Sequence, residues 1–343
     1  MTGSAADPLF LSFQLALAGK YSIDHELGRG GMGIVYLARE VHLDRLIAIK
    51  LLPPDQARDP GIRDRFLREA RNAAKLSHPN IIPIHAVDET NGFVYYVMAY
   101  VEGETLAERV RTRGPLPSAE AARVCREVAW ALSHAHANGL VHRDVKPDNI
   151  LLEHGSGRVL VTDFGIAAVV HDTASGEITG TPEFMSPEQA LGKEIDARSD
   201  LYALGVTAYY ALSGRLPFEA ENATKVLARQ VTEAVPPLAT LGVPVARKLA
   251  LLVDRCLAKE PGQRPVSADA LAEQLSVAME QRRELPAVLR AFVKRGSRVN
   301  RGSPLLLIGV SMSSIPVVAT ASALGGGRLG ALSGIGWLVG ANA

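Results

Sequence analysis

Residues 142 to 165 read His142-Arg143-Asp144-Val145-Lys146-Pro147-Asp148-Asn149 and then, past a short gap, Asp163-Phe164-Gly165. No other segment constrains the fold as tightly. Two carboxylates, an amide and a lysine at this spacing have to converge, so the chain must form a loop that returns beside a second, acidic turn. One Asp is suited to accept a proton from a hydroxyl, while an Asn and a second Asp can hold Mg²⁺ across phosphates. Phosphoryl transfer from Mg-ATP to a hydroxyl group requires this set.

Upstream, Gly28-Arg29-Gly30-Gly31-Met32-Gly33-Ile34-Val35 fits the pattern G-x-G-x-x-G-x-V. A dinucleotide-binding turn has the same glycines, but it runs from strand into helix, with an acidic residue about 20 positions on. Here Ile34 to Leu37 reads as continuing strand, so the loop is a hairpin. Its glycines let the backbone approach phosphates and adopt positive φ. Lys50 follows 17 residues after Gly33, within Ile47-Ala48-Ile49-Lys50. A lysine among apolar residues is costly to bury unless paired, and Glu69, on a helix expected over 64–76, is the natural partner. Such a pair would orient the ammonium toward the α- and β-phosphates. Asp144 is expected to position a substrate hydroxyl and take its proton, with Lys146 bridging Asp144 and the transferring group. Asn149 and Asp163 are the expected ligands of magnesium, with manganese as an alternative. His142 reads as an apolar-packed residue that links this loop to Asp163.

The surrounding pattern is α+β. Residues 21 to about 100 are strand-rich, with clear runs at 47–52 and 93–101. The helix at 64–76 places Phe66, Leu67, Ala70 and Ala74 on one face. Beyond 104, helices are expected over 118–138 (with Ser118 as a cap), 199–212, 225–233, 246–258 and 267–281. The N-terminal apolar residues Leu9, Phe10, Leu11, Leu15 and Leu17 lack a basic flank, and they read as a short helix packed on the first strand rather than a signal peptide. Cys125 and Cys256 stand alone, without disulfide or zinc spacing. A net charge of +1 gives the chain no general attraction to nucleic acid, and none is expected as a partner.

The composition changes after 281. Residues 282–303 carry Arg282, Arg283, Arg290, Lys294, Arg295, Arg298 and Arg301, and 304–324 holds no charge in 21 residues. At about 1.5 Å per residue that segment spans roughly 30 Å, the thickness of a bilayer core. It is expected to be a transmembrane helix, followed at 325–343 by a short apolar tail or a partial second membrane segment, which makes the chain single-pass or a hairpin. The basic run then sets the first 300 residues or so on the cytoplasmic side of the cell membrane and draws them to an anionic membrane surface.

Taken together, the motifs resemble those of the eukaryotic-like (Hanks-type) serine/threonine protein kinases, especially the membrane-anchored bacterial ones, over about 21–281. The resemblance implies a bilobal protein-kinase fold. A small antiparallel β-lobe with helix C, about 21–101, would follow a 1–20 extension and precede a larger helical lobe, about 102–281. It implies an ATP site formed by Leu27, Gly28, Gly30, Gly33, Val35, Ala48, Lys50, Met98, Ala99, Tyr100 and Val101, with Met98 as gatekeeper. It makes Lys50 and Glu69 an ion pair, Asp144 the catalytic base and Lys146 a mark of Ser/Thr specificity. Thr181, in Gly180-Thr181-Pro182, would belong to the substrate platform and reach toward Asp144 and Lys146. Ser186-Pro187-Glu188 stands where the family usually has Ala-Pro-Glu. Glu188 would pair with Arg264, Asp200 would anchor the catalytic loop, and Arg143 would read a phosphate on the activation loop. Thr173 and Thr179 are the candidate autophosphorylation sites, with Ser175 also in that loop. The expected substrates are protein Ser/Thr residues, and a homodimer is compatible with the chain. Two rival readings are a nucleotide-binding pseudokinase and a small-molecule phosphotransferase. The complete Lys50, Asp144, Asn149 and Asp163 set argues against the first, and the peptide-platform segments around Thr181 and Glu188 argue against the second.

Overall fold

The computed structural model describes residues 7–30, 33–164 and 181–280. The chain divides into one unit over Met1–Gln281 and another over Arg282–Ala343, and the described residues all belong to the first. The expected basic run, membrane segment and apolar tail lie outside the described residues, as do Thr173, Ser175, Thr179 and Gly180. Among the described residues no helix is long and apolar enough to cross a membrane.

The first lobe begins with α1 (Pro8–Ala16), β1 (Tyr21–Gly30), β2 (Gly33–Glu40) and β3 (Arg45–Leu51). The short α2 (Pro54–Ala57) and the longer α3 (Pro60–Ala73) precede β4 (Ile84–Thr90) and β5 (Phe93–Ala99). The strands form one antiparallel sheet in the order β1-β2-β3-β5-β4. Successive side chains of a strand point to opposite faces. Ile47, Ile49, Leu51, Tyr95 and Val97 therefore share the outer face, while Ala48, Val94, Tyr96 and Met98 share the inner one, against Phe66, Leu67 and Ala70 of α3. Lys50 follows the inner alternation, opposite Tyr96 on one side and Val35 on the other. The outer face is covered by α1, which reaches past the first strand. The buried Phe13 ring lies 5.8 Å from Tyr36, 5.1 Å from Phe93 and 5.6 Å from Tyr95. Cover on both faces explains why β3 and β5 are apolar along their length rather than alternating.

The helix expected over 64–76 starts earlier, at Pro60. Asp59 caps it by accepting from the amides of Gly61 and Ile62, and proline occupies the first position, where its missing N–H costs nothing.

The second lobe holds β6 (Gly103–Thr105), α4 (Leu106–Arg113), α5 (Ser118–Ala137), β7 (Ile150–Glu153) and β8 (Val159–Val161), with the strands in a small sheet ordered β6-β7-β8. It continues with α6 (Pro187–Ala190), α7 (Ala197–Ser213), α8 (Ala223–Thr232), α9 (Arg247–Cys256) and α10 (Ala268–Glu280). Helix α7 is buried on nearly every side and is the axis of this core. A Cβ at Gly205 would lie 2.8 Å from the Cβ of Cys256, so glycine is what lets α7 and α9 touch. Ser118 is not the cap of α5. Pro117 holds that position, and the Ser118 hydroxyl donates to the Pro244 carbonyl (2.9 Å) and accepts from the Ala246 amide (3.3 Å), tying α5 to the approach to α9.

The lobes meet at β8 as well as through the connecting chain. The Ile82 amide donates to the Val161 carbonyl (3.0 Å), the Val161 amide to the Asn80 carbonyl (2.8 Å), and Asn80 Nδ2 to the Val159 carbonyl (2.8 Å). The architecture is a bilobal α+β fold, with an antiparallel sheet in the first lobe and helices in the second. Since Phe13 fills the outer face of the sheet, Phe13→Ala is expected to lower stability by about 3 kcal/mol in a urea titration and to make the segment before β1 protease-sensitive.

Candidate active site

The loop between α5 and β7 is positioned from below by one buried carboxylate. Asp200, on α7 and without solvent exposure, accepts the His142 amide at Oδ2 and the Arg143 amide at Oδ1, both at 2.8 Å. Its Oδ2 also lies 2.7 Å from His136 Nε2. These bonds hold Arg143 at φ 68, a left-handed conformation that non-glycine residues adopt at a cost of about 1–3 kcal/mol. The His142 ring is fully buried. Its Nε2 is 2.9 Å from the Thr162 carbonyl, its Nδ1 accepts the Asp144 amide at 3.3 Å, and Phe164 lies against it at 4.6 Å. One imidazole thus joins the loop to the chain that leads into Asp163.

Asp144, Lys146, Asn149 and Thr181 form a connected group. Lys146 Nζ lies 2.8 Å from Asp144 Oδ2 and donates to Thr181 Oγ1 at 2.9 Å. Asn149 Nδ2 donates to the Asp144 carbonyl (2.8 Å) and to Asp144 Oδ2 (3.1 Å), which leaves its Oδ1 as the free acceptor. Asp163, also left-handed at φ 64, sits across from this group at the base of the first lobe.

The expected Lys50–Glu69 pair is absent. Lys50 is buried and paired, as its setting demands, but its partner is Asp163, with Nζ 2.7 Å from Oδ2. Tyr96, opposite Lys50 in the sheet, donates its hydroxyl to Asp163 Oδ1 at 2.8 Å. Burial alone would raise the Asp163 carboxyl, but the Lys50 ammonium and the Tyr96 hydroxyl outweigh it and hold the group below its ordinary range. Glu69 is left buried on α3 with Oε2 unpartnered. Desolvation pushes its carboxyl up to about 7, against the opposing influence of Arg143, Arg65 and Arg68. Asp163 offers the ammonium a carboxylate already supported by the Tyr96 hydroxyl, whereas the cations that act on Glu69 are Arg143, Arg65 and Arg68.

The remaining expected positions lie on the inner face of the first-lobe sheet, on its glycine hairpin and on the chain that leaves it. Ala48 and Met98 are buried and face each other across β3 and β5, and the Thr162 hydroxyl rests 3.9 Å from Met98 Sδ. Ala99 donates its amide to the Pro83 carbonyl, and Tyr100 and Val101 follow, half-buried, before β6. Leu27 is exposed and Val35 half-buried on the strands flanking the glycine turn. The three glycines differ. Gly33 has φ +135, and a Cβ there would lie 2.7 Å from the Leu51 carbonyl oxygen, so the fold itself demands glycine. A Cβ on Gly28 or Gly30 would meet open space, which leaves room for a group lying over the hairpin. Hard oxygen donors from Asn149 and Asp163 fit magnesium, whose shell is otherwise filled by water and phosphate oxygens.

Behind the site, Glu188 and Arg264 form a bidentate pair at 2.6 and 2.8 Å, both buried, and Ser199 donates to Glu188 at 2.5 Å. Burial raises the Glu188 carboxyl, but these donors hold it below its ordinary value. Ser186 caps α6 reciprocally with Gln189, and Gln189 Nε2 donates to the Arg143 carbonyl at 2.9 Å. Neither Gln189 nor Tyr96 was singled out in the sequence. The spacing Ser186-x-x-Gln189 is a capping-box signature that marks the first, and a hydroxyl-bearing residue on the inner alternation of β5 marks the second.

The Glu69 arrangement has a measurable consequence. Its folded value, about 7, exceeds the ordinary 4.5, so the folded state binds more protons than the unfolded state between those values. Stability from this group is therefore present at low pH and lost as pH rises through 7. Glu69→Gln is expected to leave the melting temperature of the nucleotide-free protein unchanged near pH 4.5 and to raise it above pH 7; an equal effect at both would refute the assignment.

The protein kinase domain family matches residues 21–276. The chain is 38% identical over 267 residues to the serine/threonine-protein kinase PrkC of Bacillus subtilis, covering 77% of this chain and 41% of PrkC. It is 39% identical over 282 residues to PknB of Mycobacterium leprae, covering 80% of this chain and 45% of PknB. The chain thus spans less than half the length of either relative. The crystal structure of the Mycobacterium tuberculosis PknI kinase domain superimposes with a TM-score of 0.61 at 32% identity, covering 76% of this chain and 96% of that one. The chain belongs to the protein kinase family, and the proteins it resembles are bacterial serine/threonine kinases.

Proposed function

We propose that the chain transfers the γ-phosphoryl group of ATP to Ser or Thr hydroxyls of proteins. The observation that carries this reading is the connected group of Asp144, Lys146, Asn149 and Thr181, set opposite Lys50 and Asp163. Asp144 orients the incoming hydroxyl and accepts its proton. Lys146, held between Asp144 and Thr181, offers positive charge beside the transferring group. Because the transition state is loose, placement and charge neutralisation matter more than basicity. Asn149 Oδ1 and the Asp163 carboxylate would hold Mg²⁺, which neutralises phosphate charge when bound. The Gly28–Gly33 hairpin covers the phosphates, and the adenine lies against Ala48 and Met98 beside the Ala99–Val101 backbone.

In the arrangement seen, Asp163 is engaged by Lys50 and Tyr96. On activation Lys50 exchanges this partner for Glu69, which frees Asp163 for the metal. Phosphorylation of Thr173 or Thr179, read by the exposed Arg143, favours the exchange. The sequence beyond 281 supports attachment to the inner face of the cell membrane through 304–324, aided by the basic run at 282–303.

Two experiments test the proposal. In a Mg²⁺-dependent autophosphorylation assay on the full chain, Asp144→Asn and Lys50→Met are each expected to lower incorporation by about 10²–10⁴-fold, with wild-type phosphate mapping to Thr173 or Thr179. ATP binding by wild type without any phosphate transfer would sink the kinase reading. On cell fractionation the full chain should sediment with membranes and a 1–281 chain, which lacks both the basic run and the apolar segment, should not; a full chain found in the soluble fraction would refute the anchor.

A further inference from the structure

The segment that begins at Thr181 is pinned at one end by Lys146 and further along by the Glu188–Arg264 pair. Between these lies a 3₁₀ turn, Pro182–Phe184, and a third pin holds it. Gln230, on the inner side of α8 and without solvent exposure, donates from Nε2 to the Glu183 carbonyl at 2.6 Å. Its Oε1 accepts the Tyr202 hydroxyl from α7 at 2.5 Å. Its own carbonyl accepts Lys259 Nζ at 2.7 Å, and that ammonium also reaches the Tyr202 hydroxyl at 3.1 Å and lies 4.6 Å from the Phe218 ring. Both polar ends of the amide are therefore used, in opposite directions. A glutamine is needed, since a carboxylate lacks the donor and an apolar residue lacks both groups.

We infer that Gln230 is a positioning residue for the protein substrate, fixing the Pro182–Phe184 turn relative to the helical core so that the platform beside Asp144 keeps its shape. A buried side chain that only stabilised α8 would not need to aim its donor at the carbonyl of Glu183, two residues from Thr181. Burial, together with Arg264 nearby, lowers the Lys259 ammonium to about 8. This cation makes no ion pair among the described residues, so it depends on the Gln230 carbonyl and the surrounding rings. The network thus closes on itself behind the platform and does not touch the positions assigned to ATP.

The inference rests on the kinase reading. Its test uses the full chain with dephosphorylated casein as acceptor. Gln230→Glu keeps an acceptor for Tyr202 and removes the donor to Glu183. It is expected to raise the KM for casein about tenfold, as loss of one buried hydrogen bond implies, with the KM for ATP within twofold of wild type. Tyr202→Phe, which releases Oε1 but keeps the ring, should shift the same KM in the same direction by a smaller factor. Hydrogen exchange gives a readout that needs no turnover. The Phe184 and Met185 amides, bonded to the Thr181 and Pro182 carbonyls, should exchange faster in Gln230→Glu, while the His142 and Arg143 amides should not. An unchanged casein KM, an equal rise in both KM values, or unchanged exchange at Phe184 and Met185 would each overturn the inference. A wild-type chain that fails to phosphorylate casein counts against the kinase reading instead, and the exchange measurement still decides the role of Gln230.

Discussion

The geometry of this site depends on the Asp200 carboxylate. It is buried in the core of the helical lobe, and both its oxygens accept backbone amides of the loop that carries Asp144. A buried carboxylate is tolerated only when hydrogen bonds replace its lost water, and here the replacements are the two amides and His136. The dependence is mutual. Without the amides Asp200 would be an uncompensated buried charge, and without Asp200 Arg143 could not be held in its left-handed conformation. Everything downstream, from the Lys146 bridge to the Asn149 amide, inherits its position from this anchor.

A second carboxylate–cation contact ties the first lobe to the site. Lys50 and Tyr96, paired across β3 and β5, both reach the Asp163 carboxylate, one oxygen each. Glu69 meanwhile stays buried with Oε2 unpartnered, and its carboxyl has lost its ordinary acidity. Asp163 is therefore coupled to two side chains of the sheet and cannot be understood from its own segment alone.

This coupling also shows what was legible in the sequence. The convergence of Asp144, Lys146 and Asn149 was readable because eight consecutive residues hold them, and short spacing leaves a loop few options. Asp200 and the Glu188–Arg264 contact were accessible through the family resemblance, since distant pairs leave no local trace. The partner of Lys50 was not legible. Both candidate carboxylates lie far away in sequence, and the choice between them depends on the placement of α3 and on a hydroxyl from Tyr96. The course of the strands followed from their apolar runs, but the start of α3 was missed because its signal, Asp59-Pro60, precedes the apolar stripe. Ser118 was read as a cap from its neighbours, while its hydroxyl goes to Pro244, a contact that no local pattern encodes.

The cover that α1 gives the first lobe sets which positions can vary over evolutionary time. A sheet with one wet face can change every second residue freely. Here β3 and β5 lie at the centre with side chains packed above and below, so they have no free side. Substitutions along them have to conserve volume at consecutive positions, because close-packed interiors accommodate neither voids nor added bulk. The outer strand β1 is largely exposed and β4 largely half-buried, so both are less restricted. Tolerance to substitution should therefore run as a stripe across the sheet, lowest at its middle, with Lys50 inside the narrowest band.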